Sequence, residues 1–169
     1  ACGITDILAH LYERYLTNTK DVEVTDRMIE ALMLTMIQEG PKAIADSEDY
    51  ESRANIMWAG MMAHNNSCGV GRTQDWTSHD VEHELSAIYD CAHGAGLAVT
   101  MPAVFTYNMN HDVKRFVQVA CRVWGCEMNE EHPEVTAKEG IERLRNFLIS
   151  IGMPKNFEEL GAKEEDIER

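Results

Sequence analysis

An all-α domain of roughly seven helices is the fold this sequence predicts. Apolar residues recur at helical spacing almost throughout, and no stretch alternates convincingly with period two. Breaks rich in Gly, Pro and Asn separate those periodic segments. The size agrees: 169 residues, 44% of them hydrophobic, can enclose one core.

In chain order, Ile7, Leu8, Leu11 and Tyr15 make the first stripe, which stops at Asn18-Thr19-Lys20. Met28, Leu32 and Met36 make the second, with Thr25 as a candidate cap and Gly40-Pro41 as the break. Ser47 is placed to cap a third helix running to about Asn66, with Met57 and Met61 on its face. The Met-rich stretch Met57 to Met62 reads as core, and so do Trp58 and Trp124. Ser67 to Gln74 is a loop, and its Gly69-Val70-Gly71 is only weak support for a phosphate site. Asp75–Tyr89 and Gly94–Asn108 read as helices, although Pro102 must start, end or kink something. Val113, Phe116, Val117, Ala120 and Trp124 form a further stripe, and Ile141, Leu144, Leu148 and Ile151 the last. Three breaks lie at 110–112, 129–133 and 152–155, and the charged tail Glu158 to Arg169 is expected to fray.

Charge narrows the function. Fifteen basic against 29 acidic residues give a net charge of −14, which repels phosphate backbones and argues against nucleic acid as a partner. The longest weakly polar run, Gly94 to Tyr107, is too short to span a membrane. Five cysteines without paired spacing (Cys2, Cys68, Cys91, Cys121 and Cys126) read as reduced thiols of a cytoplasmic protein. The start at Ala1-Cys2-Gly3, without Met, leads us to expect further chain upstream.

The chemistry concentrates in a few positions. Asp6 and His10 are spaced i, i+4, so on a helix both rise from one face and can share a divalent cation. His79 and His83 repeat that spacing, and His93 precedes Gly94-Ala95-Gly96. One carboxylate and four imidazoles suit Fe(II), Zn, Ni or Co better than a thiolate site does. Trp76 stands just ahead of His79. His64, His111 and His132 have no partner at ligand spacing and read as ordinary. A competing reading takes His79-Asp80-Val81-Glu82-His83 as H-x-x-E-H, the motif of a zinc hydrolase in which Glu82 activates water. A third is a non-catalytic helical interaction module with an exposed apolar groove.

At these residues the sequence resembles the iron-containing (group III) alcohol dehydrogenases, and within them the bacterial NAD(P)H-dependent butanol dehydrogenase branch. The likeness rests on Asp6-Ile7-Leu8-Ala9-His10, then His79-x3-His83-x9-His93. Flanking text agrees: Gln74-Asp75-Trp76-Thr77-Ser78, Glu84-Leu85-Ser86-Ala87, Gly94-Ala95-Gly96-Leu97-Ala98, Gly40-Pro41-Lys42-Ala43 and Arg53-Ala54-Asn55-Ile56-Met57-Trp58.

The resemblance implies a C-terminal helical domain of dehydroquinate synthase-like type spanning 1–169. It implies Asp6, His10, His79 and His93 as metal ligands, with His83 beside the substrate as a candidate proton relay. The metal expected is Fe(II), with Zn or Ni as alternatives. The implied reaction interconverts a primary alcohol and an aldehyde by metal-assisted hydride transfer to NAD or NADP. It also implies a missing N-terminal nucleotide-binding domain, further helices beyond Arg169, and an isolated 169-residue chain that binds metal but turns over no alcohol. A homo-oligomer is compatible with all of this.

Overall fold

The computed structural model describes residues 1–166. Seven α-helices follow one another: α1 (Cys2–Tyr15), α2 (Glu23–Ala45), α3 (Tyr50–His64), α4 (Thr77–Tyr89), α5 (His93–Asn108), α6 (Val113–Arg122) and α7 (Pro133–Ser150). No strand occurs among the described residues, so the domain is all-α. Single 3₁₀ turns lie at Ser67–Gly69 and Glu164–Asp166.

α1 is the central post. Its stripe of Ile7, Leu8, Leu11 and Tyr15 is buried, and the helix contacts α2 and α3, which pair with each other, and α5, which pairs with α4. α6 and α7 form a third pair, packed on the rest through α5 and tied to α1 and α2 by Arg115 of α6, which donates to the Tyr15 carbonyl and to Asp26. The enclosed core includes Leu8, Leu11, Ile29, Met33, Leu97 and Leu144. α5 is apolar on most sides because α1, α4 and α7 surround it. Small residues set the closest approaches: a methyl on Gly94 would collide with the Cys2 backbone, and one on Gly140 with Ala120.

Several local expectations are corrected. α2 begins at Glu23, so Thr25 lies inside it, its hydroxyl donating to the Val22 carbonyl at 3.1 Å. Gly40-Pro41 does not break that helix, which runs on to Ala45. The Pro41 ring is exposed, and only the Ile37 carbonyl loses a helical donor, one turn from the end. α3 starts at Tyr50, capped by Asp49, whose Oδ1 accepts from the Ser52 N–H at 3.3 Å; Ser47 lies outside it. Pro102 neither starts nor ends a helix; it is buried within α5.

The Met-rich face of α3 is not core. Met57 is 73% exposed and Trp58 66%, while Ser52, Ala59, Gly60 and Ala63 are buried. Gly60 has the reason: a Cβ there would stand 2.9 Å from Ile7 Cδ1, so α3 lies against α1 on its small residues. Met57 and Met61 are left on an open groove of about 540 Å³ that includes Ile4, Ile44 and Ile56 and reaches Asp6 and His64. Trp124, by contrast, is partly buried, its indole N–H donating to the Tyr12 hydroxyl at 2.6 Å.

The segment after α3 is anchored. Arg72 donates to the Asp26 carboxylate, and to the Arg14 carbonyl at 2.8 Å. Arg115 of α6 binds both oxygens of Asp26, each at 2.8 Å. Gly69 makes room for Gln74 to donate to the Asn66 side chain at 2.8 Å, so its lack of a side chain serves this packing. The described part of the tail is tied back, the Tyr89 hydroxyl donating to Asp166 at 3.0 Å. The expectation of fraying otherwise falls on 167–169, outside the described residues. All five cysteines are free thiols. Among the described residues no helix is long and apolar enough to cross a membrane.

Candidate metal centre

The candidate residues meet where α1 passes the C-terminal end of α3 and the first turns of α4 and α5. Asp6 and His10 sit one turn apart on α1, His79 and His83 one turn apart on α4, and His93 opens α5. Arg72 and a backbone bond from the Asp75 N–H to the Glu13 carbonyl (2.9 Å) fix where α4 begins.

Glu13, two turns after Asp6 on α1, is 3% exposed. Its Oε1 accepts from the backbone N–H groups of Ser78 (2.8 Å) and His79 (3.1 Å), and its Oε2 holds His79 Nδ1. One buried carboxylate thus meets two free donors at the α4 N-terminus, where the helix dipole favours negative charge, and turns the His79 ring. Glu82, fully buried, turns the ring that opens α5: Oε2 holds His93 Nδ1, and Oε1 accepts from Ser86 Oγ on its own helix. A methyl at Gly96 would collide with that carboxylate, so the glycine leaves its space. The Nδ1 of His10 is satisfied by the Asp6 carbonyl at 2.9 Å.

His10 Nδ1 is also 3.2 Å from Asp6 Oδ1, whereas His79 and His93, with Nδ1 held by buried carboxylates, have Nε2 available, the arrangement that sets tautomer and aim in metal-binding histidines. His79 Nε2 is 3.3 Å and His93 Nε2 3.5 Å from Asp6 Oδ1. Bonds of about 2.1 Å to a tetrahedral ion put neighbouring ligand atoms about 3.4 Å apart, so these spacings fit the edges of such a site. The His10 and His79 ring centres are 4.6 Å apart. Of the four residues that the resemblance implied as ligands, Asp6, His79 and His93 form one set of mutually close ligand atoms, and His10 meets Asp6 in another. Trp76 walls the site, its ring 5.2 Å from His10 and 5.3 Å from His79.

The electrostatics suit a cation. Burial pushes the Asp6 carboxyl up, but hydrogen bonds from His10, His79 and His64 outweigh it and hold the group well below the usual carboxylate range. Burial pulls His79 down, yet Asp6 and Glu13 raise it to about 9. A cation taking its Nε2 displaces that proton.

Among the described residues, ligand atoms lie within 4.8 Å of one another in three sets: Asp6 with His79 and His93, Asp6 with His10 and His64, and Glu82 with His83 and His93. None pairs His79 with His83, whose ring centres are 6.2 Å apart. Glu82, which the hydrolase reading needs beside a water, is bound to His93 and Ser86 instead. His83 stacks on His93 at 5.4 Å and is exposed.

Sequence reasoning missed three contributors. Glu13 extends the Asp6/His10 stripe at helical spacing, a signal that was available. Glu82 was visible, in another role. His64, read as ordinary, stands with its Nε2 3.2 Å from Asp6 Oδ2, and no spacing in the sequence points to it. The positioning role of Glu82 is testable. Glu82→Gln is expected to keep the helices and weaken zinc binding ~10- to 100-fold, measured by competition with a chromogenic chelator. Metal affinity unchanged in that variant would remove the role.

Fold and site together define a class: an all-α domain carrying a carboxylate–imidazole site suited to a divalent cation. A family model described as "Fe-containing alcohol dehydrogenase family, C-terminal" matches residues 1–169, and the chain belongs to that family. The NADH-dependent butanol dehydrogenase B of Clostridium acetobutylicum is 39% identical over 170 residues, covering 99% of this chain and 43% of that protein. The NADPH-dependent aldehyde reductase YqhD of Escherichia coli is 37% identical over 163 residues, covering 95% of this chain and 41% of that protein. The solved structure of NADH-dependent butanol dehydrogenase A from Thermotoga maritima matches with a TM-score of 0.93 at 34% identity, over 99% of this chain and 41% of that one. The chain thus spans about two-fifths of the length of these relatives.

Proposed function

We propose that this chain is the metal-binding part of a nicotinamide-dependent oxidoreductase that interconverts a primary alcohol and an aldehyde. Asp6, His10, His79 and His93 hold one divalent ion, with Fe(II) the expected occupant and Zn or Ni able to replace it. The observation that carries the reading is the convergence of His79 and His93 Nε2 on Asp6 Oδ1 at 3.3 and 3.5 Å, with buried Glu13 and Glu82 behind them. The family, and relatives named for butanol and aldehyde substrates, support the reaction class.

Such an ion supplies Lewis acidity toward the substrate oxygen. The chain's own residues do the rest of their share. Glu13 and Glu82 keep the His79 and His93 imidazoles aimed, and Trp76 shields one side of His10 and His79. The α3 groove puts apolar surface beside Asp6. His83, exposed and stacked on His93, is placed to pass a proton between substrate and solvent. The nicotinamide is held by a nucleotide-binding domain outside these 169 residues. Relatives named for NADH and for NADPH both occur.

The purified chain, prepared without chelator or affinity nickel, is expected to carry about one tightly held ion and to show no NAD(P)-dependent alcohol turnover. In the assembled enzyme, His83→Asn is expected to retain the ion and lose roughly 10²-fold in kcat, with an altered pH profile. Metal analysis and the pH dependence of kcat check both. An ion-free chain after addition of Fe(II) or Zn, or an unchanged pH profile in His83→Asn, would count against the corresponding role.

A further inference from the structure

The Asp6 carboxylate has two sides, and the proposed ligand set uses one of them. Oδ1 faces His79 and His93. Oδ2 faces His64, at 3.2 Å. His64 is built like the other imidazoles of the site. Its Nδ1 is held by the Gly60 carbonyl at 2.7 Å, one turn back on α3, and its Nε2 is aimed at the shared carboxylate. The His10 ring stands between the two sides, 4.0 Å from the His64 ring and 4.6 Å from that of His79. The ligand atoms of Asp6, His10 and His64 lie within 4.8 Å of one another, as do those of Asp6, His79 and His93.

We infer that the centre has a second, outer cation position formed by Asp6 Oδ2, His10 and His64, with Asp6 bridging it to the inner one. This rests on the ligand reading given above for Asp6, His79 and His93. Two imidazoles and one carboxylate oxygen define the cation class: a borderline divalent transition metal such as Zn²⁺, Co²⁺ or Ni²⁺, and not Mg²⁺ or Ca²⁺. A single ion takes His10 on the inner side. A second ion draws His10 outward and leaves the first with Asp6, His79 and His93, the three-ligand set common in open zinc sites. The inner imidazoles are backed by the buried carboxylates of Glu13 and Glu82, whereas His64 is backed only by the Gly60 carbonyl, so the outer position fills after the inner one.

The test is equilibrium dialysis of the full 169-residue chain against rising Zn²⁺, with metal analysis, and a parallel Co²⁺ titration followed by visible absorption. Wild type is expected to fill in two steps, to two ions per chain. His64→Asn is expected to lose the second step and keep the first, with circular dichroism showing that the variant is folded. His93→Ala is expected to lose the first step instead. Saturation of wild type at one ion, or two ions retained in His64→Asn, overturns the outer position. One ion in His64→Asn with two in His93→Ala upholds the outer position and counts against the inner ligand set.

Discussion

Asp6→Ala/His93→Ala is expected to hold no metal in the inner position under conditions where the wild-type chain retains one ion. Both residues contribute directly: among the described residues Asp6 is the carboxylate that faces all of His10, His79 and His93, and His93 Nε2 lies 3.5 Å from its Oδ1. Structural zinc sites are worth ~10–16 kcal/mol, or ~3 kcal/mol per ligand when shared among four, so losing two weakens binding ~10⁴-fold. The fold survives because neither side chain belongs to the apolar core, and His79 keeps its bond to Glu13. Thermal melting falls modestly, since buried Glu82 loses one partner and keeps Ser86. The measurement is metal content by mass spectrometry on both proteins, beside circular dichroism. Tight binding retained in the variant would move the centre toward His79 and His83 and reopen the hydrolase reading.

Asp26→Asn is the substitution expected to cost the domain most stability. Asp26 is 3% exposed and accepts from Arg72, twice from Arg115, and from Gln118 at 3.1 Å. These bonds join α2, α6 and the segment that leads into α4. The amide removes the negative charge but not the buried guanidinium of Arg72 or the half-buried one of Arg115. Breaking a buried pair in this way costs about 3–5 kcal/mol, which for a domain of this size lowers Tm by roughly 10 °C. Metal affinity falls as well if α4 shifts, because the Arg72 segment sets where His79 begins.

The same carboxyl predicts a pH dependence. Burial pushes Asp26 up, but hydrogen bonds and charge from Arg115 and Arg72 bring it from 3.8 down to about 2. A group whose folded value is depressed gives its stabilisation in full above the unfolded value and loses it as pH falls through the folded one. This contribution, on the order of 2 kcal/mol, is therefore present above 3.8 and disappears toward pH 2. Urea unfolding of wild type and Asp26→Asn between about pH 5 and pH 2 checks it. The gap in stability between the two proteins should narrow on acidification, and a constant gap would refute the assignment.

The helices were legible because burial on one side imposes a 3.6-residue period that survives in the sequence as stripes such as Ile7, Leu8, Leu11 and Tyr15. The ends were less legible. Thr25, Ser47 and Gly40-Pro41 are locally reasonable caps and breaks, yet each was overruled by packing around it. Met57, Trp58 and Met61 show the same limit from the other direction: composition marks them as core material, but α3 packs inward on its small residues Ala59, Gly60 and Ala63.

For the site, spacing along the chain determined what helix geometry alone can determine. Asp6 with His10 and His79 with His83 had to lie one turn apart, whatever the rest of the fold did. The distances that make a centre were decided between helices. Whether His93 reaches Asp6 depends on α5 starting against α1, which Gly94 permits by leaving room for the Cys2 backbone. That Glu82 orients His93 instead of activating water depends on its turning inward toward Gly96. That His64 joins Asp6 depends on where α3 ends, 58 residues along the chain from its partner. Periodicity is a property of one helix and is written in its own residues. A contact between helices is written in none of them singly, so it appears only once the chain has packed.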